Sequence, residues 1–114
     1  MSVYEIQNIS QWNEIIKTAS NTIIIIDFYA VWCGPCKAVK PKYEMLAETY
    51  KDLRDLNNIV FLSVDIEKVP QLSDKFEITS MPTFLVIHKD KVIKRISGGN
   101  IGEIDFAIKL ILDN

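Results

Sequence analysis

The chain is predicted to be an α/β protein of order βαβαβαββα, three layers in which four helices flank a central mixed five-stranded sheet. Runs that are apolar on both faces, as strands buried inside a sheet are, alternate with segments whose apolar residues recur at helical spacing. Late in the chain that alternation breaks into two strands joined by a short turn, which adds an antiparallel pair to a mostly parallel sheet. No repeat, low-complexity tract or linker divides the 114 residues. One core at this length is the expectation, with residues 1–114 forming a single domain.

Each element has its own signal. Val3–Ile6 reads as a short strand. Ser10 is a candidate N-cap for a helix carrying Trp12, Ile15, Ile16 and Ala19 on one face, which Asn21 ends. Ile23–Tyr29 is apolar on both faces and so a candidate central strand. Val39, Tyr43, Leu46, Ala47 and Tyr50 stripe the next helix, where Pro41 is expected to cause a kink. Lys51–Asn58 is a polar connection. Ile59–Val64 is a second strand of the buried type, and Pro70 suits the first turn of a helix with Leu72 and Phe76 inward. Thr83–Ile87 is a third buried strand, and His88–Lys91 turns into Val92–Ile96. Gly98-Gly99 ends that strand before a helix with Ile101, Ile104, Ile108 and Ile111 facing inward.

Composition narrows the function. The hydrophobic share of 48% and charged share of 25% are those of a soluble globular domain. A net charge of −2 gives no reason to expect nucleic acid or an anionic membrane as partner. The longest aliphatic run, Ile23–Ile26, is too short to span a bilayer, and the N-terminus lacks a basic-then-apolar signal pattern. The expectation is a reducing compartment, where a Cys-x-x-Cys pair is catalytic or metal-binding rather than structural.

The chemistry concentrates in Trp32-Cys33-Gly34-Pro35-Cys36, which holds both cysteines of the chain. Three residues apart, the thiols share a helix face and can close a small disulfide. A strand before them and an amphipathic helix after them place Cys33 at a helix N-terminus, where unpaired N–H groups and the dipole favour a thiolate. Cys33 is the expected nucleophile, as the more exposed thiol, and Cys36, one turn in, the buried resolving one. Gly34 permits close approach by a partner chain, and Pro35 fixes a φ compatible with the helix. The competing reading is half of a zinc or iron–sulfur site. Zinc needs four ligands, and a lone His88, itself read as a turn residue, does not complete a usual set.

Asp27 interrupts an apolar strand on the face of Ile23 and Ile25, and so is expected inward beneath the following helix. Burial would raise its pKa above the ordinary value of about 3.9 and suit it to take the proton of Cys36. The alternative is a strand that ends early and leaves Asp27 a solvated cap. Lys40, two helical turns beyond Cys33, is a possible modulator of that carboxylate, though such lysines are more often solvated, as Lys37 is expected to be. Trp32 either contacts partners or packs half-buried. Met81-Pro82 precedes a strand, and base rates alone give it a trans bond.

The residues Asp27-Phe28-Tyr29-Ala30-Val31-Trp32-Cys33-Gly34-Pro35-Cys36-Lys37, with Pro41, Met81-Pro82-Thr83-Phe84 and Gly98, closely resemble the thioredoxin family over essentially the whole chain. They match the small cytosolic type rather than disulfide isomerase domains, which carry Gly-His between the cysteines. The resemblance implies a thioredoxin fold and reduction of protein disulfides by dithiol exchange. It implies a cis bond at Pro82, with the prolyl ring against Cys33 and the Met81 backbone free to pair with an extended substrate. Trp32, Gly34, Pro35, Met81, Pro82 and Gly98 would form a shallow apolar substrate groove. The implied reductant is an NADPH-dependent flavoprotein thioredoxin reductase, so the chain would need no cofactor and no metal of its own. Its other partners would be client proteins with disulfides, and it would act as a cytoplasmic monomer. The position that carries a lysine in bacterial members is Phe61 here, leaving Lys40 as the base near Asp27, and Gly99 stands where alanine is common. A rigid binding module with incidental thiols is the alternative, and an oxidase or isomerase differs only in potential.

Overall fold

The computed structural model describes residues 2–51 and 58–113. Among these residues nine elements follow in the expected order: β1 (Val3–Ile6), α1 (Ile9–Lys17), β2 (Ile23–Tyr29), α2 (Gly34–Tyr50), β3 (Ile59–Asp65), α3 (Pro70–Lys75), β4 (Thr83–His88), β5 (Lys91–Ser97) and α4 (Ile101–Leu112). The polar connection expected at Lys51–Asn58 lies, apart from its two end residues, outside the described ones.

The sheet runs β1-β3-β2-β4-β5, with β2 at its centre. β1 and β2 both pair with β3 in parallel, while β4 is antiparallel to β2 and to β5. This corrects the mostly parallel sheet expected from the sequence. The connection after β3 contains a helix of only six residues, about 9 Å long, which cannot carry the chain back along strands of about 23 Å. β4 therefore starts where β3 stops: Thr83 pairs with Phe28 and Asp65 with Tyr29, at the same end of the sheet.

Alternation along β2 divides the core in two. Ile23 and Ile25 join Phe61, Phe84 and Val86 under Val39, Tyr43 and Ala47 of α2 and Ile104 and Ile108 of α4. Ile24, Ile26 and Phe28 join Leu62, Val64 and Leu85 over Trp12 of α1 and Leu72 of α3. Phe61 lies between Tyr43, edge-on at a ring centroid distance of 5.6 Å, and Tyr50, stacked at 6.2 Å. Tyr43 is fully buried and its hydroxyl donates to the Leu62 carbonyl at 2.7 Å, tying α2 to β3. Tyr43→Phe removes that bond and is expected to cost about 1 kcal/mol in a urea melt.

Two boundaries differ from the expected ones. Asn8, not Ser10, caps α1: its Oδ1 accepts from the Gln11 N–H at 3.0 Å, and Gln11 Oε1 accepts in return from Gln7 N–H at 2.7 Å. The reciprocal bonds satisfy orphan donors two residues earlier than a serine cap would. The helix also stops at Lys17 rather than at Asn21, capped by Thr18, and Ala19 is buried from the turn beyond it. α2 continues through Pro41 to Tyr50, with one intrahelical N–H missing.

Candidate active site

β2 ends at Tyr29, and a tight turn in which Cys33 N–H donates to the Ala30 carbonyl at 3.1 Å sends the chain into α2. Cys33 is the N-cap of that helix, with extended backbone (φ −85°, ψ 113°). Its Sγ accepts the N–H of Cys36 at 3.2 Å, so the sulfur occupies the place of a capping oxygen. Cys36 lies one turn in, 5.3 Å away between Cα atoms, and the two are joined in a disulfide. Residues at N-cap and N3 of one helix converge without moving the backbone, so the pair can open and close locally.

The expected difference in exposure is not found. Both cysteines are 5% exposed, packed with Ala30 against Tyr29, Ile66 and Met81. The loop ahead of β4 covers Cys33, whose Sγ lies 3.7 Å from the Met81 carbonyl oxygen. What distinguishes the two sulfurs is position: only Cys33 receives a first-turn N–H.

Met81-Pro82 is cis, as the resemblance implied and base rates did not. The Pro82 carbonyl accepts from Gly98 N–H at 2.9 Å, which sets Gly98 beside the loop. Around the disulfide, Trp32 is 64% exposed, which goes against half-buried packing, and Gly34 and Pro35 are exposed beside it. The sequence-predicted groove residues are thus brought to one end of the sheet. Gly98 has φ +89°, in the range glycine favours, whereas Gly99 does not and its added Cβ would meet Val39 Cγ2 at an ordinary 3.5 Å. Gly98→Ala is expected to destabilise by about 1 kcal/mol and Gly99→Ala to be neutral or stabilising by about 0.5 kcal/mol, read from thermal melts of the two variants.

Asp27 is 5% exposed and faces α2, not solvent, which removes the alternative of a solvated cap. It shares a cavity of about 670 Å³ with Cys36, Lys40, Glu5 and Ser63. Burial, then the negative charge of Glu5, push its carboxyl up to about 7, and Lys40 pulls the other way. Lys40 itself is exposed, so it bears on Asp27 as a charge at the cavity mouth. Lys37 is exposed as expected. His88 pairs with Ile23 at the opposite end of β4 from the dithiol, out of reach of a shared metal site.

Glu5 is the site residue that sequence reasoning missed. Its Oε1 accepts from the Tyr29 hydroxyl at 2.8 Å and the Ser63 hydroxyl at 2.9 Å. The one hint in the sequence is an acid within the short strand Val3–Ile6. Only the strand order brings that strand to Asp27.

A strained approach of groups is not needed for chemistry here: two sulfurs that toggle between dithiol and disulfide carry two electrons, and a buried acid of near-neutral affinity can hold the proton that accompanies them. The molecule is a dithiol–disulfide oxidoreductase. Comparison with known proteins agrees. The family model for thioredoxin matches residues 3–109. Thioredoxin Asp f 28 of Aspergillus fumigatus is 42% identical over 103 residues, which span 87% of this chain and 89% of that one. Rabbit (Oryctolagus cuniculus) thioredoxin is 32% identical over 110 residues, 96% and 99% of the two chains. Among solved structures, a poplar thioredoxin h superposes with a TM-score of 0.85 at 30% identity, covering 100% of this chain and 99% of that one. The chain belongs to the thioredoxin family. No helix among the described residues is long and apolar enough to cross a membrane.

Proposed function

We propose that this chain reduces disulfide bonds in other proteins, with Cys33 as nucleophile, Cys36 as resolving thiol and Asp27 as proton acceptor. The observation that carries the assignment is the Cys36 N–H directed at Cys33 Sγ, at the start of α2. In the reduced state the Cys33 thiolate attacks one sulfur of a client disulfide. A mixed disulfide forms and the other client sulfur leaves as a thiolate, which takes a proton. Cys36 then gives its proton to Asp27 across their shared cavity, and its thiolate attacks Cys33 Sγ. The second client thiolate departs, the client has gained two electrons, and the Cys33–Cys36 disulfide remains.

Trp32, Gly34, Pro35, Met81, Pro82 and Gly98 form the groove that receives an extended client segment, reading backbone more than side chains. Lys40 modulates the charge of Asp27. A thioredoxin reductase, a flavoprotein drawing on NADPH, restores the dithiol, so the chain needs no bound cofactor or metal. It works as a single domain and a monomer in the cytoplasm.

The test is a redox titration paired with turnover. A midpoint more reducing than about −200 mV, with NADPH oxidation that depends on both thioredoxin reductase and a disulfide client, is the expected result. A midpoint near about −120 mV, the range of strong oxidants, overturns the reductase reading.

A further inference from the structure

We propose that Glu5 is a positioning residue for this reaction: from the edge strand it holds a negative charge against Asp27 across Ser63, and so keeps Asp27 a base strong enough for the proton of Cys36. The inference rests on the reading of Asp27 as proton acceptor and adds the group that tunes it.

Register supplies the geometry. Glu5 of β1 is level with Ser63 of β3, and Ser63 is level with Asp27 of β2, so the three stand in one row on the face beneath α2. Adjacent strands are about 4.8 Å apart, which sets the two acids roughly 10 Å apart at the backbone with only a short serine between. Both carboxyl groups line the same cavity as Cys36.

The hydroxyl bonds decide which acid is the tuner. Ser63 and Tyr29 both donate to Glu5 Oε1, fixing that carboxylate in place, and neither proton is directed to Asp27. Glu5 Oε2 and Asp27 Oδ1 are both buried and have no hydrogen-bond partner among the described residues. Asp27 thus meets a fixed neighbouring charge without a donor to offset it, which disfavours its ionised form. Burial acts first and Glu5 second in the same direction, against Lys40. The other groups lining the cavity are Lys37, Glu44 and Glu48 on α2, beside the hydroxyls of Tyr29 and Tyr43. The Tyr43 hydroxyl is committed to the Leu62 carbonyl. A base whose proton affinity approaches that of a thiol takes its proton with the smallest barrier, so loss of the Glu5 charge weakens the step even though Glu5 touches no reacting atom.

The test follows the Asp27 carboxyl by 13C NMR or infrared difference spectroscopy against pH, with Asp27→Asn to assign the signal, and follows release of a mixed disulfide in parallel. Glu5→Gln keeps an Oε1 acceptor for Tyr29 and Ser63 and removes the charge, putting an amide NH2 where Oε2 stood. Its Asp27 midpoint is expected to fall by about one pH unit, and the inflection in the release rate to fall with it. Ser63→Ala keeps both charges, and the Asp27 midpoint is expected not to fall. In the unmodified chain the Glu5 carboxyl signal is expected to respond in a step at the Asp27 midpoint, absent in Asp27→Asn, a readout that requires no folding of a Glu5 variant. An Asp27 midpoint unmoved by Glu5→Gln, or a Glu5 signal without that step, overturns the proposal and leaves the role of Asp27 intact. A midpoint that moves while release in Asp27→Asn runs at the unmodified rate overturns the role of Asp27 itself, and with it that of Glu5.

Discussion

Asp27→Asn is expected to stabilise the protein by about 2–4 kcal/mol at pH 9, raising its melting temperature by roughly 10 °C, while slowing its chemistry. Folding raises the carboxyl from its ordinary 3.8 to about 7, with burial the first cause and the Glu5 charge the second. The folded chain therefore holds a proton that the unfolded chain releases. The stability contributed by that protonated form is complete below about pH 4 and is lost as pH rises through 7. An amide does not titrate, so the advantage of the variant over the unmodified chain starts small in acid, grows between pH 4 and 7, and levels off above. Urea melts at pH 4, 7 and 9 measure it. A difference that stays flat across the three, or a variant less stable at pH 9, contradicts the buried acid.

The same substitution is expected to slow release of mixed disulfides by about 100-fold at pH 7, the low end of what a positioned proton acceptor contributes. The deficit shrinks in alkali, where solvent deprotonates Cys36 directly. Gain in stability with loss of rate is the signature of a group kept for chemistry at the expense of the fold.

Replacing the sulfurs is expected to have the largest effect on activity. Either Cys33→Ser or Cys36→Ser lowers turnover of a protein disulfide by roughly 10³-fold or more, because the dithiol acts as a unit. Their products differ. Cys36→Ser can attack but cannot resolve, so it accumulates a mixed disulfide with its client, visible by non-reducing electrophoresis or intact mass. Cys33→Ser removes the sulfur that receives the Cys36 N–H, and is expected to trap little or nothing. Adducts on Cys33→Ser and none on Cys36→Ser would reverse the assignment. A double-serine variant that keeps every cellular role would favour the rigid binding module over the reductase.

Much of this site was legible in one dimension. Alternation from Ile23 and Ile25 puts Asp27 on the face that α2 covers, because side chains repeat every second residue whatever strand lies alongside. Three-residue spacing after a strand puts Cys33 at an N-cap and Cys36 at N3, a matter of helix geometry alone. The cap of α1 was misplaced because Ser10 and Asn8 are both good capping residues, and the choice rests on a reciprocal bond with Gln11. Relative exposure of the sulfurs was misjudged because the cover on Cys33 comes from Met81, 48 residues away.

The sequence by itself determined the order of elements, the two faces of the central strand and the local geometry of the dithiol, since each depends on contacts within a turn or a pleat. Tertiary structure alone decided that β4 runs antiparallel to β2, that Met81 stands over Cys33, and that Glu5 shares a row with Ser63 and Asp27. Those facts follow from strand order and register, which are set by how distant segments bury their apolar faces together. A carboxylate in the first strand acquires its meaning only when the third strand lies between it and the second.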